Sequence, residues 1–273
     1  MENPLISVIM ATFNEPSEQI NKSIQSVLNQ TFRDFELLII DDSTKPETVV
    51  AIDNSAQSDS RVKVIRKPQR MGFAPALNIG LLQARGKYIA RMDADDISMP
   101  DRFELQIAFL DKNPNIAIVG GAMDIINEKG EIVSHRNYPT SFFKIKLFSL
   151  LRSPLAHPTV MIRKESLGNE LYDKSFKKAE DLELWLRMMK KGYKISNLPD
   201  ILLHFRVNGN LADKRTKEHF EYNYEARKKN FSWRSPVWSF LSIFFSKIYI
   251  FLPKKIISAA YNIENNSVIN YKN

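Results

Sequence analysis

Apolar positions in this chain follow two rhythms that alternate along its first half. Residues 5–11 (LISVIMA) form a short, continuous, β-branched run, the pattern of a strand buried on both faces. Thr12-Phe13-Asn14-Glu15-Pro16 breaks it. A helix is predicted next, with Ile20, Ile24, Val27 and Leu28 on one face. Residues 35–40 (FELLII) read as a second strand, stopped at Asp41-Asp42-Ser43, and residues 62–65 as a short third. Leu77, Leu81 and Leu82 predict a helix over 74–84 that ends at Gly86. Residues 88–92 (YIARM) are the next strand and lead into Asp93. A helix starts near Pro100, a residue suited to a first turn, with Phe103, Ile107 and Leu110 inward. Residues 116–119 precede Gly120-Gly121.

This β-α-β-α alternation predicts an α/β fold with a parallel sheet and helices on both faces. Ligands of such sheets bind beyond the carboxyl ends of the strands. Thr12, Glu15, Asp42 and Asp93 all fall at those ends. Beyond residue 122 the pattern is mixed. Gly130 marks a turn, residues 143–151 and 180–191 read as helices, and residues 159–162 as a strand.

The segment 236–252 (PVWSFLSIFFSKIYIFL) stands apart. Ser235, Ser239, Ser242 and Ser246 form a narrow polar stripe on a helix, opposite Val237, Phe240, Leu241, Phe244, Ile248 and Phe251. With Lys254-Lys255 following, the pattern describes a helix lying in a membrane interface. A packed soluble helix and a true span are the alternatives. Lys247 and the bracketing Pro236 and Pro253 count against the span.

Charge sharpens that picture. The 273 residues carry a formal net charge of +8, yet residues 214–273 hold 11 Lys/Arg against 4 Asp/Glu. Nearly all the basic excess therefore lies in the C-terminal segment, which suits an anionic membrane or a nucleic acid. There is no Cys, hence no disulfide and no thiolate metal site. Met1-Glu2-Asn3-Pro4 lacks the basic start and apolar core of a signal peptide, so a cytosolic location or a cytosolic membrane face is expected.

Two acidic clusters carry the chemistry. Asp93-Ala94-Asp95-Asp96 follows a strand, and Glu180-Asp181 opens a helix. Carboxylates crowded together repel unless a cation or a proton separates them. An Asp-x-Asp after a strand suits Mg²⁺ or Mn²⁺, since carboxylate oxygens match hard cations. Asp side chains capping the next helix are the alternative, and Ser98 could also serve as that cap. Glu180-Asp181 reads equally well as first-turn acids on a helix dipole or as a catalytic base. Arg70, beside Met71-Gly72, could reach a phosphate or simply lie on the surface. His157 and His204 read as hydrogen-bonded structural residues. No G-x-G-x-x-G follows the first strand, and no P-loop or G-x-S-x-G elbow occurs.

The stretches SVIMATFNE (7–15), SIQSVLNQTFRDFELLIIDDST (23–44), GFAPALNIGLLQARGKYIARMDADDISMPDRFELQ (72–106), HPTVMIRKE (157–165) and AEDLELWLRMMKKGYKISNLP (179–199) are jointly distinctive. Together they resemble the family 2 inverting glycosyltransferases of the GT-A fold, especially bacterial enzymes that build capsule, exopolysaccharide or O-antigen repeats. The resemblance implies a Rossmann-like, mostly parallel sheet over residues 1–213. Residues 1–121 would form the nucleotide-sugar half and 122–213 the acceptor half, with 214–273 a basic, helical, membrane-associating tail. It places Thr12 and Glu15 beside the nucleotide, Asp42 on the base (typically uracil), Arg70 near base or diphosphate, and Asp93 on the ribose. It gives Asp95 to Mn²⁺ or Mg²⁺, Asp181 the part of general base, and Glu180 a place close to the acceptor. Many relatives carry Tyr/Phe-Arg-x-His after the base helix; here Phe205-Arg206-Val207-Asn208 puts Asn at the His position.

The resulting expectation is an inverting, metal-dependent transferase. It would move a sugar from a UDP-sugar to a saccharide acceptor, lipid-linked, at the inner face of the cell membrane. Two other classes compete. A nucleotidyltransferase would carry a Gly-rich, basic loop where Thr12-Phe13-Asn14-Glu15 stands. A nucleic-acid binder would interleave aromatics with basic residues, whereas here they cluster on an apolar helical pattern.

Overall fold

A computed structural model describes residues 3–207 and 216–252. Its first half is built from β1 (Ile6–Thr12), α1 (Ser17–Leu28), β2 (Phe35–Asp41), α2 (Pro46–Ser58), β3 (Val62–Arg66), α3 (Phe73–Gln83) and β4 (Tyr88–Asp93). β1 pairs in parallel with both β2 and β4, and β2 with β3. The residues of β1 and β2 are almost wholly buried because helices cover both faces, which is why these strands read as unbroken apolar runs. Parallel register also brings Thr12, Asp41 and Asp93 to one edge of the sheet.

The second half adds β5 (Ile97–Ser98), α4 (Arg102–Lys112), β6 (Ile116–Ile126), β7 (Ile132–Arg136), α5 (Phe142–Phe148), a single 3₁₀ turn at His157–Thr159, β8 (Met161–Arg163) and α6 (Lys164–Leu167). α7 (Glu180–Lys190), β9 (Lys194–Arg206), α8 (Lys217–Lys229) and α9 (Pro236–Phe251) complete it. The strand order is β3-β2-β1-β4-β8-β6-β9-β5, with β7 on β6. β8 runs antiparallel to β4 and β6, and β5 and β7 are antiparallel to their partners, so the sheet is mixed beyond β4.

Several boundaries differ from the sequence reading for physical reasons. Gly86 does not end α3, which stops at Gln83. A Cβ on Gly86 would stand 2.5 Å from the Ser7 backbone nitrogen, so glycine is required by the passage of β1. α4 begins at Arg102, because the Pro100 carbonyl is taken by the Thr31 N–H at 2.8 Å. Ser98 caps nothing: its Oγ accepts from Gln30 Nε2 at 3.2 Å. Residues 157–159 turn, and the strand expected at 159–162 starts at Met161. α2, β9 and α8 escaped the pattern. The inner faces of α2 and α8 mix polar with apolar residues, Thr48 and Ser55 beside Ala51 and Ile52 on one and Arg227 beside Phe220 and Ala226 on the other. β9 is broken by an exposed stretch at Pro199-Asp200.

α9 is amphipathic as expected, and its orientation is now fixed. The serine stripe faces the protein: Ser242 and Ser246 are buried, and Ser242 Oγ donates to the Leu150 carbonyl at 3.2 Å. Val237, Phe240, Phe244, Ile248 and Phe251 face outward, while Leu241 is half-buried. Among the described residues no helix is long and apolar enough to cross a membrane.

Candidate active site

β4 delivers the first acidic cluster. Oxygens of Asp93, Asp95 and Asp96 lie within 4.8 Å of one another at the strand's carboxyl end. The Arg91 guanidinium, one turn of the pleat earlier, ion-pairs with Asp93. Asp96 is fully buried; its Oδ1 accepts the Arg206 N–H at 2.8 Å, and its Oδ2 has no hydrogen-bond partner among the described residues. Burial, with Asp93 and Asp95 close by, pushes the Asp96 carboxyl well above the usual range. Three acids and an orphaned buried oxygen fit a hard divalent cation. Arg206 Nε also donates to the Asp95 carbonyl at 3.0 Å, so the end of β9 fastens this loop. Asn208, two positions on, lies outside the described residues.

The other residues expected to meet the donor surround the ends of β1 and β2. The Thr12 hydroxyl donates to Asp41 Oδ1 at 2.8 Å. Asp42 Oδ2 accepts the N–H groups of Met71 and Gly72, each at 2.9 Å, and fixes the turn into α3. Gly72 has φ of +80°, a conformation that side chains resist. Glu15 accepts the Phe13 N–H at 2.8 Å, and burial, aided by Asp95 and Asp93, raises its carboxyl to about 7. Arg70 lies over the Phe13 ring, 3.7 Å from its centroid. Asn14, at φ 63°, ties this loop to the next, its Oδ1 accepting from the Thr44 and Lys45 N–H groups at 2.8 and 2.9 Å.

α7 delivers the second cluster. Ala179, at φ 58°, turns the chain so that Glu180 and Asp181 open the helix. Both line a cavity of about 510 Å³, and so do Asp93, Arg91 and His157. Glu180 Oε1 stands 3.9 Å from His157 Nδ1, and Asp181 Oδ2 accepts from Ser153 Oγ at 3.1 Å. Burial, then the neighbouring Asp181, raises the Glu180 carboxyl to about 8. Burial and the Arg91 charge hold His157 well below its ordinary value, so its ring is neutral. Its Nε2 meets the Tyr172 hydroxyl at 2.8 Å, the hydrogen-bonded role expected for it. His204 instead stands 3.5 Å from Asp124, and neither residue is in the lining of this cavity.

The fold thus joins Asp93 to Glu180 and Asp181 in one cavity. Thr12, Glu15, Asp42, Arg70 and Asp95 are outside its lining, at the adjoining edge of the sheet. Arg91 and His157 were not singled out for chemistry by sequence. A lone Arg inside the apolar run of β4 was the available signal, since a charge buried there needs a carboxylate. α8 adds His219, Phe220 and Asn223 to the cavity wall.

The chain as a whole is similar to known proteins. MJ1057 of Methanocaldococcus jannaschii, described as an uncharacterized glycosyltransferase, is 30% identical over 92% of this chain and 87% of its own. The O-antigen biosynthesis glycosyltransferase WbnJ of Escherichia coli is 33% identical over 80% of this chain and 85% of its own. In fold, the chain is similar to the mannosyltransferase PcManGT of Pyrobaculum calidifontis, solved with GDP-Man and Mn²⁺. The TM-score is 0.68 at 17% identity, over 95% of this chain and 74% of that one. S. aureus TarS 1-349 with UDP-GlcNAc gives a TM-score of 0.62 at 21% identity, over 82% of this chain and 66% of that one. Residues 7–170 match the profile of glycosyl transferase family 2, and the chain belongs to that family.

Proposed function

We propose that this glycosyltransferase moves a sugar from a UDP-sugar to a hydroxyl of a saccharide acceptor, with inversion at the anomeric carbon, in the synthesis of a surface polysaccharide. The observation that carries the reading is the shared cavity of Asp93 and the Glu180-Asp181 pair. Donor and acceptor need opposite sides of one space, and these acids supply both. WbnJ, an O-antigen enzyme by its description, supports the polysaccharide setting, and the UDP-GlcNAc complex of TarS supports the donor class.

In this reading residues 1–121 hold the nucleotide-sugar and 122–213 the acceptor. Thr12, Glu15, Asp42, Arg70 and Asp93 contact the donor. Asp95 holds Mn²⁺ or Mg²⁺, with Asp93 and Asp96 beside it. Such an ion supplies Lewis-acid stabilisation of the departing diphosphate. Asp181 removes the proton from the acceptor hydroxyl as its oxygen attacks the anomeric carbon from the face opposite the diphosphate. The bond from that carbon to the diphosphate oxygen breaks, and a β-linked product forms from an α-linked donor. Residues 214–273 attach the protein to the inner face of the membrane, where a lipid-linked acceptor resides; the outward apolar face of α9 supports this.

The test is transfer from a panel of UDP- and GDP-sugars with Mn²⁺ and a saccharide acceptor, with the new linkage assigned by proton NMR. Asp95→Ala and Asp181→Asn are expected to lower turnover by ~10²-fold or more. Wild-type turnover in Asp181→Asn would remove that residue from the reaction, and a retained anomer would remove inversion.

A further inference from the structure

The outward apolar face of α9 has a neighbour. On α5, Phe143 is 66% exposed and Leu147 50% exposed, one helical turn apart. The rings of Phe143 and Trp238 meet edge to face, 6.3 Å between centroids, so the starts of the two helices touch. Lys146 bridges them: its Nζ donates to Ser235 Oγ at 3.0 Å and stands 5.4 Å from the Trp238 ring centroid. Trp233, 85% exposed, precedes α9. Two helices that touch at their starts, and a tryptophan between them in sequence, thus present large apolar side chains to the outside, and exposed apolar groups of that kind mark an interaction site.

Charge identifies what the surface meets. Between α5, the end of α7 and α9 lies a cavity of about 270 Å³. Four cations, Lys146, Lys190, Arg227 and Arg234, and five serines line it, with no carboxylate among them. The guanidinium of Arg227 is engaged with the carbonyls of Leu150 and Ser149, while Lys190 and Arg234 are exposed at the rim. The surrounding sequence is equally one-sided: neither 132–164 nor 226–263 contains a single Asp or Glu. A second copy docking through the same patch would set like charges against each other. An anionic leaflet takes both parts of the surface, its acyl region the aromatics and its headgroups the cations.

We propose that α5 and α9 together seat the protein on an anionic bilayer, and that the serine-lined, cationic cavity between them receives a phosphate-bearing lipid headgroup. The proposal rests on the reading that α9 meets the membrane. It adds a helix of the catalytic domain and a headgroup site. The catalytic cavity is then held at a set angle to the bilayer, because Phe148, the last residue of α5, also lines that cavity.

The experiment is flotation of the full-length protein with vesicles of phosphatidylcholine, with and without phosphatidylglycerol. Wild type is expected to prefer the anionic vesicles. Phe143→Glu/Leu147→Glu, with α9 intact, is expected to weaken binding to both kinds. Lys190→Glu/Arg234→Glu is expected to lower binding to anionic vesicles by roughly fivefold or more per position, at about 1 kcal/mol per surface cation. It should leave binding to phosphatidylcholine unchanged. Loss of binding in Phe240→Glu/Phe244→Glu with wild-type binding in the α5 variant would confine the contact to α9 and overturn the proposal alone. Wild-type binding in all three variants would overturn the α9 reading too. Thermal stabilisation by inorganic phosphate, combined with full anionic selectivity in Lys190→Glu/Arg234→Glu, would assign the cavity to a soluble anion instead. A vesicle-free dimer that Phe143→Glu/Leu147→Glu dissociates would give the surface to a second copy.

Discussion

His157 Nδ1 lies 3.9 Å from Glu180 Oε1 inside the cavity that also holds Asp181. In an exposed pair this contact would be an imidazolium and a carboxylate. Here burial keeps the ring neutral and the Glu180 carboxyl protonated up to about pH 8. Glu180 thereby keeps its proton at a pH where an exposed glutamate has lost it.

That state of Glu180 makes stability depend on pH in a defined direction. The folded protein holds the extra proton between the ordinary value of 4.5 and about 8, where the unfolded chain has released it. The group's stabilising contribution is therefore complete below 4.5 and declines as pH rises through that interval. Glu180→Gln removes the slope. The melting temperature of the variant, relative to wild type in metal-free buffer, is expected to climb from about pH 5 to about pH 8 and then level off. A difference that stays flat across this range would show that Glu180 ionises normally.

Mn²⁺ should stabilise the wild type and not the Asp95→Ala variant, because a ligand that binds only the folded state adds about 2.7 kcal/mol at a hundredfold excess over Kd. Asp96→Asn separates two effects at the same position. The amide oxygen can still accept the Arg206 N–H, but the cost of burying an ionisable carboxyl beside Asp93 and Asp95 is gone. This variant is expected to melt higher than wild type without metal and to gain less from Mn²⁺. Thermal shifts with and without Mn²⁺ check both signs; equal gains in Asp96→Asn and wild type would take Asp96 out of the ion's surroundings.

Arg91→Met should be among the most damaging substitutions outside the acidic residues. Arg91 is 4% exposed and ion-paired with Asp93, and it contributes positive charge beside Glu180 and His157. Removing one member of a buried pair costs about 3 kcal/mol or more. Asp93→Asn in the same chain should recover part of that loss, since it removes the stranded charge. Denaturant unfolding of the two single variants and the double gives the coupling, and strictly additive losses would show that the pair does not act as a unit.

What the sequence reveals follows from how local each cause is. β1, β2 and β4 were legible because both faces of each are buried, so a continuous apolar run is enough. α2 and α8 were not, since Thr48 and Arg227 point inward on contacts that only the assembled fold provides, to the carbonyls of Glu15 and of Leu150 and Ser149. Asp93, Asp95, Glu180 and Asp181 announced themselves by crowding. His157 gains its place from Tyr172 and Glu180, distant in the chain, and no spacing rule reports those, whereas Arg91 pairs with the nearby Asp93 and showed only as a lone charge in an apolar run. The serine stripe of α9 was visible, but its direction was decided by partners outside the helix, including the Leu150 carbonyl and Lys146.

Gly86 links packing to the site through the backbone alone. Its N–H donates to Ser7 Oγ at 2.8 Å, and an added Cβ would meet Ser7 N at 2.5 Å, Ile6 C at 2.7 Å and Tyr88 O at 2.9 Å. All three atoms belong to the backbone of β1 and β4 or their approach, so no side chain can rotate away. Gly86→Ala is expected to destabilise by ~2 kcal/mol through forced backbone shifts. Because β1 ends at Thr12 and β4 at Asp93, the same shift should lower turnover at temperatures where the variant remains folded. Gly130→Ala is the matched control. Gly130 has φ of +86° with nothing within 4 Å of its Cβ position, so the substitution strains only its own turn, at about 1–2 kcal/mol. Comparable stability losses with turnover reduced only in Gly86→Ala would tie the β1–β4 spacing to catalysis; equal turnover in both would show that the sheet edge absorbs the displacement before it reaches the aspartates.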